Sequence, residues 1–547
     1  MSPSSAIPTV TFVGAVSVVA RRIVPDPAAA WTSGRVSSVT GGATASRFRG
    51  IWDRRAWWGV AAAVLLSLIL RIPFVSTPTY PDEGGYLLAA QHWRSGGSTL
   101  YGQYFVDRPP LLMAFWRAAD ALGGVEAARW LACLLVAILV VCAGYAGHLL
   151  GGGRGALRSS FTAAALASGP VLGAHEVDGE LLAVPLVMLS CALALATVRS
   201  HDAASQAWKA ALLGIAAACA VLVKQNFVEA LVFAAVLVIA SNRGASLPGR
   251  VTLRVLGCAF SGALSVVALT LAWAATTAPG PSGLWYAMYG FRSDAAQVIF
   301  SHSLDAPLAR LNMLVGAAAV SGVLAVIIIC VLSSWSRMRR RDPTAMAIAA
   351  MFMVELAGVG LGGSYWVHYL VGLVPALALA AGTLGGGVAL HLRRVSLAVI
   401  GFVVASAMTA TAVVIGSTSS TELKNAALER VLQTASHPDD TLEITYGHAN
   451  VIQGSGLRPG YPYLWSLPMR TLDPRLRLLV ESLRGPSAPT WIVQWDDFNS
   501  WHIDANARLA ATVRANYRRV DTVCGVNVYL HVGVVRSVPT SSGACPQ

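Results

Sequence analysis

Eleven apolar runs dominate this chain, each near the length that crosses a bilayer, and they leave few soluble folds open to it. A membrane-spanning helix needs about 20 apolar residues to cover roughly 30 Å of hydrocarbon. Runs of that kind fall at about 57–75, 128–150, 159–175, 180–198, 208–223, 226–241, 253–278, 309–334, 344–362, 366–388 and 395–416. Only 12% of the 547 residues are charged, against about 25% in soluble domains. Lipid is therefore the expected solvent for much of the chain. The sequence predicts a mainly α protein, a polytopic membrane helical bundle of about 11 transmembrane helices.

The basic residues order these runs. Loops that fall on one side by alternation carry Arg54, Arg55, Arg154, Arg158, Arg199, Lys209, Arg243, Arg250, Arg254, Arg337, Arg339, Arg340, Arg341, Arg393 and Arg394. With five arginines in the first 50 residues this side holds 20, whereas the other side holds eight up to residue 416. Cytoplasmic loops carry the Lys and Arg excess. The N-terminus is expected inside and the C-terminus outside, in a multi-pass cell-membrane protein. The formal net charge of +13 thus reflects membrane orientation, and no nucleic-acid partner is expected.

Three regions follow. Residues 1–56, rich in Ser, Ala, Gly and Arg, read as a disordered basic cytoplasmic tail. Residues 57–416 form the transmembrane domain, with a long outer loop over 76–127 that is broken by prolines and carries interfacial helices near 83–95 and 110–122. Residues 417–547 read as a small extracytoplasmic α/β domain. Strands are expected at 441–446, 490–495 and 526–532. Helices are expected at 473–484 and 504–518, each opened by an aspartate suited to N-capping. Six cysteines lie within apolar runs as packing residues. Cys524 and Cys545 are expected to pair in an oxidising compartment.

Unusual polar residues gather on the outer side: Asp82, Glu83, Asp107, Arg108, His175, Glu176, Asp178, Glu180, Lys224, Arg292, Tyr365 and His368. Pro81-Asp82-Glu83 admits three roles: a general base for an acceptor hydroxyl, a pair of oxygen ligands for a divalent cation, or the acidic first turn of a helix. Arg108, next to Asp107 and ahead of Pro109-Pro110, suits a lipid phosphate or an ordinary interfacial arginine. The acidic stretch from His175 to Glu180 suits sugar hydroxyls or a cation, and its spacing matches no strong zinc motif. Lys224 interrupts an apolar stretch, as a phosphate-binding residue or as a topogenic break. Glu355, inside a span, needs a partner, and Lys224 is a candidate. His368 is the unusual member of an aromatic interfacial belt that includes Tyr365.

These residues carry a family likeness. Pro81-Asp82-Glu83-x-x-Tyr86 after the first span, Asp107-Arg108-Pro109-Pro110-Leu111, Asp178 opening a later span, and Tyr365-Trp366-x-His368-Tyr369-Leu370 before Pro375 occur in order. Over residues 57–416 the chain resembles the glycosyltransferase C superfamily, as a bacterial relative of protein O-mannosyltransferases and lipid A aminoarabinose transferases. The resemblance implies an inverting membrane enzyme that moves a sugar from a polyprenyl-phosphate donor to an extracytoplasmic acceptor, whether glycan, lipid or protein. Asp82 then matches the catalytic aspartate and Glu83 lies beside it. Arg108 matches a basic residue near the lipid phosphate, and Asp178 an acidic residue of the donor pocket. Glycine at position 85 departs from relatives that carry Arg or another polar residue there, and Glu176 and Glu180 flank Asp178. The leaving phosphate calls for preorganised cations, for which Arg71, Arg108, Lys224 and Arg292 are candidates. The resemblance names no certain cofactor, and a divalent cation is the one candidate. The competing reading is a transporter or flippase of lipid-linked saccharides. That class often shows internal repeats and broken helices, and the sequence shows neither.

Overall fold

A computed structural model describes residues 54–244, 246–301, 304–386, 389–417 and 419–539. The expected N-terminal tail and Cys545 therefore lie outside the described residues, except that Arg54–Ala56 already belong to the first helix. The chain is mostly helical. Helix α1 (Arg54–Arg71) leads through a short 3-10 turn into the outer loop, which carries α2 (Pro81–Gln91) and α3 (Pro110–Leu122). Both helices begin at proline, whose fixed φ and missing N–H suit a first helical position.

The bundle continues with α4 (Val125–Leu166), α5 (Gly179–Val198), α6 (Ala203–Val223), α7 (Glu229–Arg243) and α8 (Gly249–Ala275). Short helical turns over 281–300 join these to α9 (Asp305–Val320), α10 (Val323–Arg339), α11 (Pro343–Leu361), α12 (Val374–Thr383) and α13 (Leu390–Gly416). Among the described residues, seven helices are long and apolar enough to cross a membrane, or eight if the bent pair α9 and α10 is one span. Each of the eleven expected runs overlaps helix, but three do so in altered form. α4 contains the run at 128–150 and only the first half of the run at 159–175, and breaks at Gly151 and Gly152, the latter at φ +63. Gly147 there abuts the carbonyl of Gly155 and the side chain of Ser159, so the two arms fold back on each other. The run at 309–334 is bent by 66° at Ser321–Gly322, with Gly322 at φ +82. Inside the bundle, small residues bring backbones together. A Cβ on Gly214 would fall 1.8 Å from the carbonyl oxygen of Ala259, and one on Gly262 would fall 2.1 Å from that of Ala211. Phe260, Leu269 and Ile328 remain exposed, as lipid-facing side chains do.

Beyond residue 416 the pattern changes. α14 (Ser420–Ala435) opens with a capping box of Ser419 and Glu422. It precedes a five-stranded mixed sheet in the order β2-β1-β3-β5-β4. β1 (Thr441–Ile444) pairs in parallel with β2 (Arg458–Pro459) and with β3 (Trp491–Gln494). β5 (Val526–His531) runs antiparallel to β3 and to β4 (Tyr517–Val523). The three expected strands are present, while β2 and β4 were not expected. Residues 517–518 enter β4 instead of extending a helix, which here covers Arg508–Asn516. Asp473 and Asp504 are not the N-caps expected of them, since the helices Arg477–Ser482 and Arg508–Asn516 are capped by Leu476 and Ala507. Each aspartate, three residues before the cap, still accepts N–H groups of the first turn, from Leu478 and Leu479 and from Leu509 and Ala510 respectively.

This sheet domain lies against the outer loop. α15 (Ala449–Ser455) packs on α2. Tyr104 donates its hydroxyl to the Pro459 carbonyl at 3.1 Å, and the Phe105 amide donates to Pro462 at 3.0 Å. One hydrophobic core runs from the bundle into the sheet, from Val140 and Leu181 to Val493 and Val528.

Candidate active site

The site is built at one end of the bundle, where α2 begins, α5 begins and α6 ends. Asp82 and Glu83, neighbours on the first turn of α2, have different surroundings. Glu83 is fully buried. Its Oε1 accepts Arg129 Nε at 3.1 Å and the Val177 amide at 3.0 Å. Its Oε2 accepts Arg129 Nη2 at 2.6 Å and the Tyr80 amide at 3.1 Å. Arg129 in turn donates to the carbonyls of Phe74, Val75, Thr77 and Pro78. This pair ties together the exit of α1, the start of α2, the start of α4 and the loop before α5. Asp82 is half-buried, and its Oδ1 accepts Trp465 Nε1 at 2.8 Å.

Arg108 approaches from the loop before α3. Its Nε donates to the Tyr86 hydroxyl at 2.8 Å and its Nη1 to Asp107 Oδ1 at 2.8 Å. The Tyr101 hydroxyl donates to the Arg108 carbonyl at 2.6 Å, which fixes the backbone that carries it. The other oxygen of Asp107 meets Arg292 Nη2 at 2.5 Å. Asp107 is thus the anion that holds two guanidinium groups side by side.

On the facing side, Asp178 is the N-cap of α5, with Oδ1 accepting the Leu181 amide at 2.8 Å. Its Oδ2 is buried and has no hydrogen-bond partner among the described residues. Glu180 forms an ion pair with Lys224, the residue that ends α6. His368 Nδ1 lies 3.7 Å from Asp178 Oδ2, and its Nε2 lies 3.8 Å from Glu180 Oε1. The Lys224 ammonium also sits 4.8 Å from the centre of the Tyr369 ring. Asp82, Arg108, Glu180 and Lys224 all lie within electrostatic range of His368, so the two sides face one another.

Burial, with Glu180 beside it, holds the Asp178 carboxyl well above the usual carboxylate range. Burial, with Glu83 and Asp82 nearby, pushes Glu176 up to about 8. Burial, reinforced by Arg71 and Arg129, pushes His175 down to about 4. His175 packs between the rings of Phe74 and Tyr80, each 5.1 Å away, and is neutral at pH 7.

One oxygen or nitrogen each from Asp178, Glu180 and His368 lie within 4.8 Å of one another. Two carboxylates, an imidazole and the orphaned Asp178 Oδ2 fit a divalent cation. Lys224 already neutralises Glu180, so a cation there would share that carboxylate with an ammonium group.

Of the residues singled out from the sequence, Asp82, Arg108, Asp178, Glu180, Lys224 and His368 converge, and Arg292 joins them through Asp107. Arg71 does not: it is buried and donates to the carbonyls of Ala167 and Ala174, holding the chain between α4 and α5. Tyr365 turns away as well, donating its hydroxyl to Gly360 at 3.2 Å. Glu355 is buried and lies within electrostatic range of Lys224, its expected partner, and of Glu180. Two residues escaped the sequence reading. Arg129 is one of the eight basic residues that alternation places on the outer side, and its position at the entry to a long apolar run is the signal that sets it apart. Trp465, 383 positions from Asp82, gave none.

No protein-family model matches the chain, and no curated protein matches it by sequence. Solved structures do. ArnT from Cupriavidus metallidurans in the apo state has a TM-score of 0.61 at 15% identity, covering 87% of this chain and 98% of that one. The same protein bound to undecaprenyl phosphate gives 0.59 at 15% identity, over 90% of this chain and all of that one. The likeness extends over nearly the whole of both chains, so this chain shares the fold of ArnT.

Proposed function

We propose that the protein is an integral-membrane glycosyltransferase that moves a sugar from a polyprenyl-phosphate donor to an extracytoplasmic acceptor with inversion. The observation that carries this reading is the convergence of one half-buried carboxylate, Asp82, with the cations Arg108 and Lys224 at the end of an apolar bundle. The undecaprenyl phosphate held by the structurally similar ArnT supports a lipid-linked phosphate as the donor's leaving group.

The chemistry follows from the charges. The acceptor hydroxyl attacks the anomeric carbon while the bond from that carbon to the phosphate oxygen breaks. The transition state resembles an oxocarbenium ion. Asp82 takes the hydroxyl proton as general base, and the phosphate leaves with the bonding pair. That leaving group is already anionic and needs positive charge more than a proton. Arg108, steadied by Asp107 and Tyr86, is placed to supply it, with Lys224 and Arg292 adding to the field. Asp178, Glu180 and His368 would hold a divalent cation, which would add positive charge beside the same phosphate. Glu83 has all of its carboxylate capacity committed to four donors and acts as the cap and tie of α2.

In this reading the site and the sheet domain lie outside the membrane and the Arg337–Arg341 loop inside. A single cysteine at the exposed position 439 should react with an impermeant maleimide on intact cells, and one at 340 should not. Reaction at 340 from outside would overturn the orientation. The activity itself is tested with purified protein, a panel of polyprenyl-phosphate sugars and a cell-envelope extract as the source of acceptor hydroxyls, in detergent and without any gradient. Release of polyprenyl phosphate is expected, whereas a flippase would leave every donor intact.

A further inference from the structure

The sheet domain touches the proposed base directly. Trp465 is the N-cap of the short helix Ser466–Leu472, in a segment that reaches back over α2. Its indole Nε1 donates to Asp82 Oδ1 at 2.8 Å. Its ring lies 5.4 Å from that of Tyr86, whose hydroxyl accepts from Arg108. The indole has a seat on α2. A Cβ at Gly85 would stand 2.3 Å from Trp465 Cζ2, closer than any real contact. One residue earlier, a Cβ at Gly84 would stand 2.4 Å from Asn450 Cα on α15. The two glycines are therefore a docking strip on which the C-terminal domain settles against the helix that bears Asp82. Position 85, where the family resemblance leads one to expect a polar side chain, is here the space that the indole fills.

We propose that Trp465 is a positioning residue for Asp82 and that the C-terminal domain is thereby part of the active site. This rests on the reading of Asp82 as general base. A carboxylate at the first turn of a helix turns freely about its last side-chain bond. One N–H donor to Oδ1 fixes that rotation and leaves Oδ2 for the acceptor hydroxyl. Indole suits the task because its nitrogen is a donor only and cannot compete for the proton that Asp82 takes. The other charged or titratable groups around Asp82 do not replace it. Arg108 is engaged with Tyr86 and Asp107, and Glu83 with Arg129. Glu176, His368 and Tyr86 act on Asp82 through their electrostatics. From α15 and its cap, Asn450 and His448 make no hydrogen bond to it.

The test needs no donor. The full-length protein in detergent is treated with a water-soluble carbodiimide and glycinamide at one fixed pH, and modification of Asp82 is followed by peptide mass spectrometry, with the exposed Asp439 as internal reference. Trp465→Phe keeps one aromatic ring at the position and removes the N–H together with the indole atoms that meet Gly85. Loss of one hydrogen bond to a charged group should speed labelling of Asp82 about tenfold, with Asp439 unchanged. Gly85→Ala, which displaces the indole without altering it, should do the same. Both variants are first checked for monodisperse elution and a wild-type thermal midpoint, and either alone suffices if the other fails to fold. Labelling of Asp82 at the wild-type rate in the folded variants would overturn the proposal, because a purely structural tryptophan would give that result. With a consumed donor, Trp465→Phe should lower kcat about tenfold and leave the donor KM unchanged. Full turnover by Asp82→Asn would sink the general-base reading, and the labelling rates would still decide whether Trp465 holds Asp82.

Discussion

Two polar clusters lie beside each other in this protein, and they differ in how completely their atoms are satisfied. Around Glu83 and Arg129, both carboxylate oxygens have two donors each, and the guanidinium spends its remaining N–H groups on four backbone carbonyls. Around Asp178, Glu180 and His368, one carboxylate oxygen is buried without a partner, and the imidazole stands 3.7 and 3.8 Å from its neighbours. The first cluster is finished by the protein and holds four chain segments together. The second is left open, and an unsatisfied buried polar atom costs stability that a structural role would not require. Chemistry is expected where the protein has left such atoms, next to Asp82 and Arg108.

The comparison breaks most sharply at the adjacent pair on α2. Asp82→Asn should lower turnover about 10²–10⁴-fold in a protein that folds normally and still binds donor, because Asn keeps the shape but cannot take the proton. The rate of polyprenyl-phosphate release by purified variants checks this, and near wild-type turnover would move the base elsewhere. Glu83→Gln should do the opposite. Removing one charge from a buried pair costs about 3–5 kcal/mol, so a large fall in thermal midpoint is expected, with excess divalent cation giving no rescue. Rescue by a cation would make Glu83 a metal ligand and erase the distinction drawn between the two clusters.

Smaller effects sharpen it. Arg108→Ala should weaken donor binding about 10–100-fold, the size expected for a hydrogen bond to a charged group, and should lower turnover as well, since the phosphate is charged before and during the reaction. Binding of undecaprenyl phosphate measured by tryptophan quenching checks the first part. Asp178→Asn should barely alter stability. Asn caps a helix as well as Asp, so the contact with Leu181 survives, and burial already favours the neutral form of this side chain, so little charge is lost. The unfolding free energy, followed through the thermal midpoint, is expected to change by less than about 1 kcal/mol, with turnover reduced. A strong destabilisation there would mean that Asp178 is part of the scaffold after all.

What could be read from the sequence were properties carried by consecutive residues. Span length, the distribution of basic residues between loops, and the prolines of 76–127 located the helices and the polar end of the bundle. The ordered motifs at Asp82, Arg108, Asp178 and His368 named most of the residues that converge. Bends were less legible, because Gly151–Gly152 and Gly322 turn the chain through backbone angles that hydropathy does not record. The roles of equals were not legible at all. Asp82 and Glu83 are neighbours of like charge on one helical turn, and Arg71, Arg108 and Arg129 are chemically the same side chain. Only the folded chain decides which carboxylate meets a buried guanidinium and which arginine spends its donors on carbonyls, because that depends on atoms brought together across 46 to 103 positions. Trp465 is the extreme case, a partner 383 residues away whose seat is made by the absence of a side chain at Gly85.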